Sequence, residues 1–362
     1  MFLRSLKASI LHHKEHFLTV FFVLGFFVDN LTLTRVDRLF DNLLLLTYIT
    51  LAMLSLICLY TASAGKFPER MNRPIVNFAP MVTQYAFGGL FSGMLIFYGR
   101  SGSWLVSWPF YLLILGVIFG NETIRDRVQR LLYNVGMLFV GLFAYVVLIV
   151  PVLLGKMGAL IFVGSGVLAL IIILIFIRVL AFAIPRFIEL HQRSLILTVG
   201  IIFALFNGLY FANLIPPIPL SLKDIGVFHS VVRFEDKSYQ LTYEKGEWWE
   251  FYKKSDTTFH GKSGGTIFCF AKVFAPTTIA TDIYHVWEYY DEDTGQWVQH
   301  ARVSYPIIGG GDGGYRGYSY IQGNRDGTWR CSVETERGQV LGRESFVVNS
   351  QGTQGELTTR RE

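Results

Sequence analysis

The stretch Asp29-Asn30-Leu31-Thr32-Leu33-Thr34-Arg35-Val36-Asp37-Arg38-Leu39-Phe40-Asp41-Asn42 sets three Asp, two Asn and two Arg between two apolar runs. Ionisable groups beside hydrocarbon are costly unless paired, so they turn toward a polar cavity, another helix or an interface. Two readings follow. In the first, Asp29, Asn30, Arg35, Asp37, Arg38 and Asp41 form a polar site where a membrane-embedded enzyme or lipid-handling protein would work. In the second, the same groups cap and ion-pair a helical hairpin, with Asp37 or Asp41 near a helix start.

A second concentration lies in the other half. Gly309-Gly310-Gly311-Asp312-Gly313-Gly314-Tyr315-Arg316 is a loop that could cradle an anion, which makes Asp312, Tyr315, Arg316 and Tyr318 a candidate ligand or partner surface. An ordinary hairpin loop is the competing reading. Cys269 and Cys331 each share a strand face with apolar neighbours two residues away, Ile267 and Ala271 for one, Trp329 and Val333 for the other. Both therefore face a core, where a disulfide or two buried thiols are equally compatible with the pattern. Trp248, Trp249, Trp287, Trp297 and Trp329 also fall in this half. Most belong to a core or to cross-strand pairs, and an exposed one beside polar loops would form a saccharide or peptide platform.

Other motifs fail on inspection. Gly261-Lys262-Ser263 resembles the end of a phosphate loop, but Asp256 stands where the upstream glycine is required. Asp291-Glu292-Asp293-Thr294-Gly295 lacks the later ligands of a calcium loop and sits where a hairpin turn belongs. His12, His13 and His16 lie on a basic segment with no Cys partner. No catalytic residue, metal site or cofactor is expected.

The elements that must carry these groups follow from composition. Of 362 residues, 52% are hydrophobic and 16% charged, and the mean hydropathy is +0.40; soluble proteins carry about 25% charged residues. Residues 1–220 hold 16 Lys and Arg against 8 Asp and Glu, whereas 221–362 hold 16 against 19. The basic balance belongs to loops between apolar runs, which argues for topology and not for nucleic-acid binding.

A helix needs about 20 apolar residues to cross a bilayer. Seven candidates are Phe17–Leu33, Leu39–Ala62, Pro80–Tyr98, Trp104–Phe119, Leu131–Leu154, Gly158–Ile177 and Leu195–Ile215. With the N-terminus in the cytoplasm, the inner segments hold Arg4, Lys7, Lys14, Lys66, Arg70, Arg73, Arg125, Arg127, Arg130, Arg178, Arg186 and Arg193. The outer ones hold only Arg35, Arg38, Arg100 and Lys156, a sustained positive-inside bias. Seven spans then place the C-terminal region outside. Residues 1–16 read as an amphipathic cytoplasmic segment. Within the spans Gln84, Asn134 and Asn207 are suited to interhelical hydrogen bonds, and Gly158–Ile177 has no ionisable group, which counts against a channel or carrier.

Ile215-Pro216-Pro217-Ile218-Pro219 ends the last helix, because proline removes a donor and clashes with the preceding turn. Period-two alternation then predicts strands over Gly226–Arg233, Ser238–Tyr243, Thr266–Ala275, Ile283–Tyr290, Trp297–Tyr305, Arg316–Ile321, Thr328–Glu334 and Gln339–Val348. The fold expected is an α-helical transmembrane bundle over 17–215, a Pro-rich spacer over 216–225, an all-β sandwich-like soluble domain over 226–348, and a disordered tail over 349–362.

The runs Cys269-Phe270-Ala271-Lys272-Val273-Phe274-Ala275-Pro276, His285-Val286-Trp287, Gly317-Tyr318-Ser319, Gly327-Thr328-Trp329-Arg330-Cys331-Ser332-Val333 and Gly338-Gln339-Val340-Leu341-Gly342 resemble a bacterial family known only as a C-terminal domain of unknown function. Its multi-pass members share the Asp29–Asn42 hairpin and the Ile215-Pro216-Pro217 exit. The resemblance implies a bacterial inner-membrane protein and brings no catalytic residue with it. The function expected is non-catalytic. The helices meet the lipid bilayer, and the outer β-domain binds a protein or an envelope glycan.

Overall fold

The computed structural model describes residues 29–119, 127–246, 254–261, 265–276, 279–308, 313–322 and 325–362. The expected segment 1–16 and residues 17–28 of the first expected span, Phe17–Leu33, lie outside them. The chain divides into two compact units, one comprising Met1–Gly99 and Trp108–Ala212, the other Arg100–Ser107 and Asn213–Glu362.

The first half is helical. Among the described residues the long helices are α1 (Leu39–Ser63), α2 (Glu69–Ser101), α3 (Trp104–Phe119), α4 (Arg127–Leu154), α5 (Ala159–Ala183) and α6 (Pro185–Phe211). Leu39–Ser63, Arg130–Leu154, Ala159–Ala183 and Pro185–Phe211 are long and apolar enough to cross a membrane, and Trp104–Val117 is a shorter apolar helix. The region expected as a span over Pro80–Tyr98 lies within α2, which starts earlier and keeps Pro74 and Pro80 inside it. Pro185 opens α6 at a position where its missing N–H costs nothing.

The helices pack through aromatic rings and small residues. Phe143 meets Phe206 at 4.4 Å and Phe162 at 6.0 Å, and Phe162 stacks on Tyr210 at 3.7 Å. Gly166 lies against the Phe143 ring, where any larger side chain would collide. Polar side chains join helices at a few points. Ser55 meets Thr83 at 2.7 Å, the Asn134 amide donates to the Tyr60 hydroxyl at 3.1 Å, and the Tyr98 hydroxyl donates to the Ala144 carbonyl at 3.0 Å.

The second half is β-rich, with strands β1 (Ser221–Phe228), β2 (Ser230–Arg233), β3 (Tyr239–Glu244), β4 (Thr258–Phe259), β5 (Ile267–Phe274), β6 (Ala280–Asp291), β7 (Gln296–Ile308), β8 (Tyr315–Ile321), β9 (Gly327–Thr335), β10 (Val340–Val348) and β11 (Leu357–Arg361). They form three sheets, ordered β1-β5-β8, β4-β10-β9-β6-β7 and β11-β3-β2. The first sheet is the middle layer. Val227, Ile267, Cys269 and Ile321 project from one face of it into a core with Trp287, Trp329, Cys331 and Phe346 of the five-stranded sheet. Phe228 and Phe270 project from the other face into a second core with Val231, Tyr239 and Leu241. Side-chain alternation makes this possible, since successive residues of one strand serve opposite layers.

Three expectations need correction. The single strand predicted over Gly226–Arg233 is two strands, broken at His229. The spacer predicted over 216–225 is shorter and integrated: β1 already begins at Ser221, and Ile215 through Leu220 are buried. The Asn213 amide donates to the Arg337 carbonyl at 3.0 Å, and the Gln339 amide donates to the Ile215 carbonyl at 3.1 Å.

The tail predicted as disordered instead supplies β11, antiparallel to β3. Its polar sequence Leu-Thr-Thr-Arg-Arg hides the strand, because an edge strand is held by backbone bonds and needs no buried face. Ion pairs from Arg360 to Asp224 and from Arg361 to Asp236 add to it.

Candidate functional site

The polar hairpin holds the most concentrated group of candidate residues. Asp41 stands in the first turn of α1, and one carboxylate oxygen accepts the backbone N–H of Thr34 at 2.8 Å and of Arg35 at 2.9 Å. The Arg35 guanidinium grips Asp37 through two bonds of 2.9 and 2.6 Å. The Asn42 amide donates to the carbonyls of Val36 at 2.6 Å and Arg38 at 2.9 Å. The structure therefore brings Arg35, Asp37 and Asp41 into a loop that folds back onto a helix start, where a negative charge is favoured. Asp29 is buried, and Asn30 and Arg38 are exposed. The arrangement is that of a braced turn.

Of the second predicted group, Asp312 lies outside the described residues. Tyr315 and Tyr318 occupy opposite faces of β8. Tyr315 stacks on Tyr305 at 6.4 Å. Arg316, Tyr318 and Tyr320 share the other face. Their cross-strand neighbours on β5 are Lys272, Phe270 and Phe268. The Phe268 ring lies 6.2 Å from Tyr318 and 5.7 Å from Tyr320, and Tyr239 continues the row at 6.1 Å from Tyr318. Tyr318 is 38% and Tyr320 55% exposed. An aromatic row on an accessible sheet face is the kind of rigid surface on which ligands and partners are recognised.

A third group is wholly internal. A disulfide joins Cys269 of the middle sheet to Cys331 of the five-stranded sheet. Beside it His285 is fully buried, and burial pushes its imidazole down to about 3, so it is neutral at ordinary pH. Its Nδ1 lies 2.9 Å from Ser319 Oγ, its Nε2 lies 3.1 Å from the Tyr305 hydroxyl, and the Trp287 indole N–H donates to Ser319 Oγ at 2.9 Å. If Ser319 donates its hydroxyl hydrogen to Nδ1 and Nε2–H donates to Tyr305, these contacts are satisfied together. Cys269, His285 and Cys331 place their ligating atoms within 4.8 Å of one another. However, the two sulfurs are bonded to each other and both ring nitrogens have hydroxyl partners. The chemistry is that of a braced core, with Trp287 packed between sheets.

Sequence reasoning missed a fourth group. Glu244, at the end of β3, is buried between two imidazoles. His229 Nε2 lies 3.1 Å from one carboxylate oxygen, and His260 Nδ1 lies 2.8 Å from the other. The His260 backbone N–H donates to the same carboxylate at 3.1 Å, and buried Asp256 accepts the Glu244 N–H at 2.7 Å. Desolvation works to raise the Glu244 carboxyl, but its bonds from His260 and His229 outweigh that and hold it below the usual carboxylate range. Burial lowers the His229 imidazole. The one local signal was His229 itself, a polar residue interrupting an apolar strand pattern.

Comparison with known proteins covers the same ground. Residues 280–348 match the model of a family described as a protein of unknown function (DUF2914). The match begins with β6 and ends with β10, so His285, Trp287, Tyr305, Ser319 and Cys331 fall inside it, while Cys269, Glu244 and His260 fall outside. No curated protein matches the chain. Among solved structures, the chain is similar to Pseudomonas fluorescens alkylpurine DNA glycosylase AlkC bound to DNA containing an abasic site analog. The identity is 9%, with 88% of this chain and 99% of that chain covered, and the TM-score of 0.19 carries no argument about fold or function.

Proposed function

We propose that this chain is a non-catalytic bacterial inner-membrane protein, a scaffold or accessory subunit of an envelope complex. Its helices cross the bilayer from a cytoplasmic N-terminus, and its β-rich region, on the periplasmic side, binds a protein or an envelope glycan. Support for the membrane comes from four long apolar helices that present large side chains outward, such as Leu160 at 89% and Phe182 at 83% exposure. In water such surfaces would aggregate. The sidedness rests on the Lys and Arg bias between the apolar runs.

The observation that carries the recognition role is the row of exposed Tyr318 and Tyr320, backed by half-buried Phe268, on a sheet braced from behind by a disulfide. An enzyme acting through the Asp29–Asp41 stretch is less well supported, since Arg35, Asp37 and Asp41 already hold their own loop together.

The test is purification of the full-length protein from native membranes in mild detergent, beside a version lacking residues 221–362. Mass spectrometry then identifies co-purifying proteins, lipids and sugars. A partner retained by the full-length form alone is expected. The same companions on both forms, or none on either, would end the recognition reading.

A further inference from the structure

The face of β8 is not uniformly apolar. Along it, Tyr320, Tyr318 and Arg316 follow one another at alternate positions, so a guanidinium stands at the end of the aromatic row. Phe268, opposite Tyr320 on the neighbouring strand, lies 6.2 Å from the Tyr318 ring and 5.7 Å from the Tyr320 ring, its plane tilted 44° and 47° to theirs. Beyond Tyr318, Arg233 lies over the Tyr239 ring at 5.9 Å. Two cations therefore flank the rings.

Neither cation is in an ion pair among the described residues. Other arginines of this unit are held: Arg330 by Glu288, Arg360 by Asp224, Arg361 by Asp236. Glu362, whose carboxylate feels Arg316, is hydrogen-bonded to Lys272 at 2.9 Å instead. The Arg316 Nε is buried and meets no acceptor among the described residues. A carboxylate or phosphate pairs with the terminal nitrogens of a guanidinium through charge-assisted bonds.

We infer that this face binds an acidic saccharide, an oligosaccharide bearing carboxylate or phosphate groups. Its ring faces lie on Tyr318, Tyr320 and Phe268, and its anionic group pairs with Arg316. This rests on the recognition role proposed above and names the class of partner. An extended peptide would add along the free edge of β8 through backbone bonds. The rings and the guanidinium stand on the face of the sheet, off that edge, and favour a ligand that stacks.

The full-length protein in detergent is applied to an array of matched acidic and neutral oligosaccharides, including uronic-acid and muramic-acid fragments, with acidic peptides alongside. Wild type is compared with Arg316→Gln and with the Tyr318→Ala, Tyr320→Ala double variant. Retention of acidic over neutral oligosaccharides by about tenfold is expected, a difference that one charge-assisted contact supplies. Arg316→Gln erases that preference. The double variant loses binding to both classes while keeping a cooperative unfolding transition by tryptophan fluorescence, which separates loss of the surface from loss of the fold.

Equal retention of neutral and acidic sugars, or undiminished binding by the double variant, overturns the inference. So does retention of acidic peptides alone, which leaves the recognition role standing with a protein partner. A native partner that co-purifies equally with wild type and the double variant likewise sinks this face while sparing the broader reading.

Discussion

In the helices, threonine side chains turn back onto their own backbone. Thr47 donates to Leu43, Thr50 to Leu46, Thr61 to Ile57, Thr83 to Ala79 and Thr198 to Ser194, each to a carbonyl four residues earlier. In the β-rich half, partners come from far along the chain. Ser319 reaches back 34 residues to His285 and 32 to Trp287, and Arg330 reaches back 42 to Glu288. Local satisfaction lets a helix be apolar around its whole circumference, as a lipid-facing helix must be. Distant satisfaction exists only after strands have paired or sheets have docked, and it places titratable groups together in ways that a binding or reactive surface requires.

This contrast can be broken by experiment, most severely at the covalent link. Replacing Cys269 and Cys331 by Ser removes a cross-link spanning 62 residues and is expected to cost the β-rich half about 2–5 kcal/mol. Urea unfolding of the full-length protein, followed by tryptophan fluorescence, would show the early transition. Far-UV circular dichroism from the helices should hold beyond it. A single shared transition would deny that the halves are separately stabilised.

Next in size is Ser319→Ala, which strips partners from both Trp287 and His285 and should cost about 1–3 kcal/mol by the same assay. No loss would mean that a water or a neighbouring group replaces the hydroxyl.

Acid should distinguish the halves further. His285 is held down to about 3 in the fold, whereas an unfolded imidazole titrates near about 6.5. Above that value neither state is protonated and stability is level. Below it the unfolded chain binds a proton that the fold refuses, so stability falls by about 1.4 kcal/mol per pH unit down to about 3. His285→Gln removes that component, and unfolding midpoints between pH 7 and 4 would reveal a shallower slope. His229, also lowered by burial, adds loss in the same direction. An unaltered slope in the His285 variant would place the acid sensitivity elsewhere.

The smallest effects belong to the helices. Thr47→Val and Thr50→Val delete only local, exposed bonds and should shift stability by less than about 0.5 kcal/mol. Ser55→Ala breaks the bond to Thr83 and should cost about 0.6 kcal/mol. Losses above those from Ser319→Ala would reverse the comparison.

What the sequence made legible follows the same division. The apolar helices could be read from composition alone, and alternation showed that Cys269 and Cys331 face inward, where Ile267, Ala271 and Val333 are also fully buried. Asp41 near a helix start was visible because its partners Thr34 and Arg35 are only a few residues away. Glu244 and its imidazoles were not visible, since His229 and His260 reach it from two separate segments. Alternation revealed which strands have an inner face, but not that the middle sheet has two. Tyr315, Arg316 and Tyr318 looked like one surface in the sequence, yet the pleat sends Tyr315 to the opposite side. Strand β11 escaped because pairing, not burial, defines it.

Strand β11 also bears on the order of events during biosynthesis. The β11-β3-β2 sheet is closed on one side by residues 357–361, and the Tyr239 and Glu362 backbones exchange bonds at 2.8 and 2.9 Å. Every earlier residue of this unit must leave the ribosome before that seam can form. Until then the β3 edge stands open, a template for any passing strand. Shielding of this edge during synthesis would therefore favour the yield of folded protein.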